Sequence, residues 1–168
     1  MNLVVMANLV SMVGCVLMVA IGFMQKRRTI LLAQCVQFSI LAAANLMLGA
    51  MTGFISGGIG IIRNLVFLKW ENTRFLKLIF VAVQLVLSLS VGIHSFIDWF
   101  PIVSTVLFTW FLDVKSEVRL KLVIIVAQSL WLIYDLVYLN YVTAVFDALT
   151  ITSNLIGIMM LLRGGKKE

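Results

Sequence analysis

Two aspartates, Asp135 and Asp147, interrupt otherwise apolar stretches near the end of the chain. A carboxyl group inside hydrocarbon is costly and marks a candidate functional site. Asn140 and Tyr141 break the apolar sequence between them, and a hairpin at that break sets both carboxyls at similar depth. If they face each other, at least one must carry a proton, because two buried like charges repel. Such a pair can bind a cation or carry a proton during transport. It can equally serve as an acceptor for Asn, Gln or Tyr donors across a helix bundle.

Helical spacing extends this pattern. Gln128, Trp131, Asp135 and Tyr138 share one helical face, and so do Thr143, Asp147, Thr150 and Asn154. Gln34, Gln37, Leu41, Asn45 and Leu48 form a mixed stripe, and Gly53, Gly57, Gly60 and Asn64 form a small-residue stripe ending in an amide. Four helices that each offer a polar stripe can line a central cavity. The same stripes can also be polar glue between helices. The Gly53–Gly57 spacing is expected to mark close internal packing, and Arg63 is expected to snorkel to the nearby interface. Cys15 and Cys35 read as small apolar packing residues. His94 and Asp98 lie too far from other ligand types for a metal site, and no phosphate-binding loop or nucleophile motif is present. The expectation is therefore no catalytic residue, no metal and no cofactor.

The elements that carry these residues follow from composition. The chain has 168 residues, 62% of them hydrophobic, against roughly 45–50% in a soluble domain, and its mean hydropathy is +1.12. Seven helices are expected, at about 3–24, 29–49, 52–70, 75–93, 97–112, 119–139 and 142–163, each near the ~20 residues that a bilayer demands. The fifth is uncertain in span. Pro101 suits a first helical turn, and lengthening the helix to include Phe96–Phe100 brings Asp98 to the outer interface.

Lys and Arg, thirteen in all, fix the threading. Lys26, Arg27 and Arg28 follow the first helix, and Lys69, Arg74 and Lys77 lie between the third and fourth. Lys115, Arg119 and Lys121 lie between the fifth and sixth, and Arg163, Lys166 and Lys167 close the chain. Cytoplasmic loops are enriched in such residues, so the N-terminus is expected outside and the C-terminus in the cytoplasm. The first apolar run has no basic residue before it, unlike a secretory signal. Trp70, Trp99 and Trp110 read as interfacial anchors. The net charge of +6 comes from these flanks and not from a contiguous basic face, which argues against nucleic-acid binding.

The orientation implies a parallel repeat. Helices 1–3 and 5–7 run in the same sense, and a 90-residue offset pairs Ser39 with Ser129, Asn45 with Asp135, Ile61 with Ile151 and Asn64 with Asn154. The expected architecture is all-α within one integral membrane domain over 1–168. It comprises a three-helix bundle (1–73), a linker helix (74–95) and a second three-helix bundle (96–168). Parallel repeats of this kind build some transporters.

Thr52–Asn64 (TGFISGGIGIIRN), Pro101–Phe111 (PIVSTVLFTWF) and Ser129–Asp135 (SLWLIYD) resemble the YgjV family of bacterial inner-membrane proteins along nearly the whole chain. The helix plan is more remotely similar to the SWEET and PQ-loop transporters. That resemblance implies that Asn64 and Asn154 line a central pocket. The second-helix Trp of SWEET proteins is replaced here by Leu48 and Tyr138, and no PQ dipeptide is clear.

The leading expectation is a small-solute transporter of the bacterial inner membrane. Asn64, Asn154, Asn45, Asp135, Tyr138 and Trp131 are its substrate-binding candidates, and Asp147 with Asp135 couples a proton or cation. The partners are the lipid bilayer and an unidentified small molecule, and a homo-oligomer is compatible with this reading. The alternative is a non-transporting membrane protein that packs with partner subunits.

Overall fold

Short turns cut the apolar sequence into helices. The computed structural model describes residues 2–21, 27–70, 73–111 and 116–164. Lys26, Lys115, Lys166 and Lys167 of the basic clusters lie outside the described residues. Among the described residues there are seven α-helices and no strand. They are α1 (Leu3–Ile21), α2 (Arg27–Met47), α3 (Met51–Phe67), α4 (Arg74–Ser90), α5 (Trp99–Phe111), α6 (Glu117–Val137) and α7 (Tyr141–Gly164). The all-helical expectation holds, with each boundary close to the one read from sequence. A 3₁₀ turn at Phe96–Asp98 leads into α5.

Four helices are long and apolar enough to cross a membrane: α1, α2, α6 and α7. The apolar stretches Met51–Phe67 and Phe96–Phe111 are shorter. At 1.5 Å per residue they cover roughly 25 Å, less than a ~30 Å hydrocarbon core.

Burial is inverted relative to a soluble protein. On α1 the buried residues are Ala7, Ser11, Gly14 and Cys15, while Val13 and Val16 are exposed. Val86 on α4, Leu149 on α7 and Met160 on α7 also point outward. Lipid gives no reason to bury a large aliphatic side chain, so helices in a bilayer meet through small and polar residues. Gly57 and Gly60 show the principle. A Cβ at Gly57 would lie 3.0 Å from Ala42 Cβ, and one at Gly60 would lie 3.0 Å from the Phe38 ring. The glycine stripe of α3 therefore sets its close approach to α2, as the spacing suggested.

Helix α1 packs on α2 and α7, α2 on α3, α3 on α5, α5 on α6, and α6 on α7. Six helices thus form a closed cycle of neighbours, and α4 packs against α3 and α5. Phe67 of α3 meets Phe80 of α4 edge to face, with ring centroids 5.7 Å apart. Gln84 Nε2 of α4 donates to Ser56 Oγ of α3 at 2.8 Å.

The α2–α3 and α6–α7 turns have the same backbone. Gly49 (φ 73°) and Leu139 (φ 62°), 90 residues apart, both take the left-handed conformation. Ala50 N donates to Asn45 O at 2.8 Å, and Asn140 N donates to Asp135 O at 2.8 Å. Both turns close their helices in the manner of a Schellman motif. A left-handed residue bearing a Cβ costs about 1–2 kcal/mol, and glycine gives back part of any gain through chain entropy. Leu139 is 43% exposed and has little packing to lose. Leu139→Gly is therefore expected to stabilise the fold by about 1 kcal/mol, read as a higher melting temperature in detergent. An unchanged or lower value would show that the Leu139 side chain contributes more than its backbone costs.

Candidate functional site

The α6–α7 turn brings Asp135 and Asp147 together, 1% and 2% exposed. The two carboxyls are near enough to feel each other's charge. Asp135 Oδ1 accepts from Asn140 Nδ2 at 3.3 Å, and Asp147 Oδ1 accepts from Gln128 Nε2 at 2.7 Å. Among the described residues no donor reaches the second oxygen of either carboxyl. Asn140 is held in turn by Ser11 Oγ of α1, which donates to its Oδ1 at 2.8 Å, and by Thr143 Oγ1 at 3.0 Å. Cys15 of α1 completes the cluster beside Thr143 and both aspartates.

This seam between α1, α6 and α7 is rich in acceptors. Two adjacent buried carboxyls are held together most favourably by one shared proton, since both cannot ionise side by side without strong repulsion. A cation or a solute with N–H or O–H groups can satisfy the same oxygens. Among the described residues no group of three His, Cys, Asp or Glu side chains gathers to hold a metal.

Next to Asp135, Tyr134 is fully buried and crosses to α3. Its hydroxyl accepts from Gly53 N at 2.9 Å and from Thr52 Oγ1 at 3.1 Å. Gly53 leaves room for the ring: a Cβ there would lie 2.8 Å from Tyr134 Cε1 and 2.9 Å from Asn45 Nδ2. Asn45 is 4% exposed, and its Oδ1 is another buried acceptor that no donor reaches. Trp131 stacks edge to face on Tyr134 at 5.7 Å, and Tyr138 follows at 4.6 Å, forming an aromatic ladder along α6. Tyr138 donates its hydroxyl proton to Asp98 Oδ1 at 2.5 Å, while His94 N and Ser95 N donate to Asp98 Oδ2. Tyr138 therefore ties α6 to the 3₁₀ turn before α5.

The two repeat-related asparagines differ in surroundings. Asn64 is 1% exposed and donates through Nδ2 to Gln34 Oε1 at 3.0 Å. Asn154 is half-buried and donates back to Thr150 O of its own helix at 2.8 Å. Arg63 departs from expectation. It does not snorkel: it is 5% exposed and is held among α2, α3 and α5. Its guanidinium turns inward instead, donating to Asn64 Oδ1 of its own helix and to Thr109 Oγ1 of α5.

Sequence spacing brought out Gln128, Asp135 and Asp147. It missed Tyr134, Asn140 and Ser11 as members of the site. Tyr134 stands three residues after Trp131 and one before Asp135, which is a readable signal. Ser11 is 129 residues from its partner Asn140, and no local pattern joins them.

Outward aliphatics, inward small and polar residues, and four membrane-length helices define a polytopic integral membrane protein with a buried polar seam. The chain matches the Imp-YgjV family model, described as "Bacterial inner membrane protein", over residues 5–164, and it belongs to that family. No curated protein and no solved structure matches the chain.

Proposed function

We propose that the protein is a small-solute carrier of the bacterial inner membrane, working by alternating access between two three-helix bundles. Residues 1–73 form one bundle, 74–95 the linker helix and 96–168 the other. The N-terminus lies outside and the C-terminus in the cytoplasm, the arrangement that the Lys and Arg clusters favour. The matching α2–α3 and α6–α7 turns support a parallel repeat. So does the helix packing, because a shift of 90 residues carries each neighbouring pair of the six-helix cycle onto another pair.

One observation carries the reading. Asn45 Oδ1, Asp135 Oδ2 and Asp147 Oδ2 are buried acceptors without donors among the described residues. Buried acceptors in native proteins find partners, and a solute or coupling ion supplies them. In this scheme Asn64 and Asn154 hydrogen-bond the solute, Asn45, Asp135, Trp131 and Tyr138 line the walls, and the Asp135–Asp147 pair exchanges a proton or cation.

A solute library screened by thermal shift on the purified protein tests this. A solute that raises the wild-type melting temperature by about 3 °C or more, and fails to do so with Asn45→Ala or Asn154→Ala, identifies the substrate and the site. A solute that shifts all three proteins equally, and is not taken up into proteoliposomes, would end the carrier reading. A protein that packs with partner subunits is the second reading. The Asn154 amide favours it, being satisfied within its own helix.

A further inference from the structure

Arg63 is the buried cation that the carrier scheme leaves without a task. Its hydrogen-bond partners are neutral and its bonds long. Nε and Nη2 both donate to Asn64 Oδ1 at 3.4 Å, and Nη1 donates to Thr109 Oγ1 at 3.3 Å. Charge-assisted bonds from a guanidinium are ordinarily about 2.7–2.9 Å. Among the described residues no carboxylate contributes to its electrostatic surroundings, and it makes no other bond. A guanidinium has five N–H groups. Three are used, so one on each terminal nitrogen has no acceptor among the described residues. A buried charge without a counter-charge is strongly unfavourable, and Arg63 is only 5% exposed.

The neighbours are arranged to serve this group. Thr109 Oγ1 donates to Thr105 O at 2.7 Å, which turns its lone pair toward Arg63. Asn64 is anchored to Gln34 of α2. Residues of three helices are thus linked around one cation: Asn64 and Thr109 bond it, and Gln34 bonds Asn64.

We propose that Arg63, with Asn64, Gln34 and Thr109, forms an anion-binding site that takes a carboxylate or phosphate group. A planar, always-charged fork suits both groups by paired N–H···O bonds. Asn64 belongs to the solute site proposed above. As a statement of substrate class, an anionic solute, this inference rests on the carrier reading. As an anion site it rests on Arg63 and its neighbours alone. The anion belongs either to a free solute or to a lipid headgroup.

The test is thermal shift on the full-length protein purified in neutral detergent. The probes are sodium phosphate and sodium acetate, each matched in ionic strength with sodium chloride, and separately phosphatidylglycerol against phosphatidylcholine. At least one anionic probe is expected to raise the wild-type melting temperature by about 3 °C or more over its control. Arg63→Gln is expected to lose that shift, and Arg63→Lys to keep it with at least a tenfold weaker concentration dependence. Stabilisation by free phosphate or acetate identifies a solute site. Stabilisation by phosphatidylglycerol alone identifies a headgroup site. The absence of any anion-specific shift in the wild type overturns the proposal, as does an equal shift in Arg63→Gln. If Arg63→Gln does not fold, Arg63→Lys with an undiminished response overturns it. Anion binding without uptake leaves the site standing and removes the carrier. Uptake of a neutral solute without anion binding does the reverse.

Discussion

Asp147→Asn is expected to fold and to melt at a higher temperature than the wild type at alkaline pH. The geometry allows the amide to replace what the carboxyl does. Its oxygen still accepts from Gln128 Nε2, which stands 2.7 Å from Asp147 Oδ1. Its amide nitrogen is then available to donate to the neighbouring Asp135, whose Oδ2 has no donor among the described residues. If Asp135 and Asp147 share a proton in the solute-free wild type, that proton fills the gap. As pH rises and the proton leaves, two buried anions stand side by side, and the fold loses stability. The substitution removes one of those charges for good. The difference is expected to be about 1–3 kcal/mol at the alkaline end and small at the acidic end. Melting curves from about pH 5 to about pH 9 check this. Superimposable wild-type and variant profiles would show that the two carboxyls do not share a proton. Asp147→Ala provides the contrast. It leaves Gln128 Nε2 without its acceptor and is expected to destabilise by about 1–3 kcal/mol. If the protein carries solutes by proton coupling, Asp147→Asn also flattens the pH dependence of uptake.

The same cluster shows where a membrane sequence is readable. The seven helices were legible because a bilayer demands long apolar runs and turns must interrupt them. The similar depth of Asp135 and Asp147 was legible because one short hairpin fixes both, whereas their facing depends on helix rotation, which spacing left open. The left-handed backbone at Leu139 was hidden, since leucine gives no signal of positive φ, whereas Gly49 in the equivalent turn does. Arg63 was misread for a physical reason. Snorkelling competes with inward partners, and here the guanidinium bonds to Asn64 and to Thr109 across the α3–α5 contact. Asn64 and Asn154 match in sequence position, yet one bonds across to α2 and the other to its own helix. An offset predicts backbone position more reliably than side-chain partners.

Gly53→Ala is expected to destabilise the protein by about 1–3 kcal/mol, the cost of inserting a methyl group into a filled interior. The added Cβ would sit 2.8 Å from Tyr134 Cε1 and 2.9 Å from Asn45 Nδ2. Tyr134 cannot retreat easily, because it is fully buried and its hydroxyl is fixed by Gly53 N and Thr52 Oγ1. Gly58→Ala on the same helix is the control. Nothing lies within 4 Å of its added Cβ, so better helix propensity should leave it neutral or stabilise it by up to about 1 kcal/mol. Equal melting temperatures for the two variants would show that the Tyr134 contact yields freely. The 90-residue offset explains why the position matters. It pairs Gly53 with Thr143, which carries a side chain and uses it to hold Asn140 beneath the carboxyl pair. On α3 that space is occupied by a ring from α6. Displacing Tyr134 therefore shifts the residue next to Asp135, and Gly53→Ala should also change the pH profile of melting, which Gly58→Ala should not.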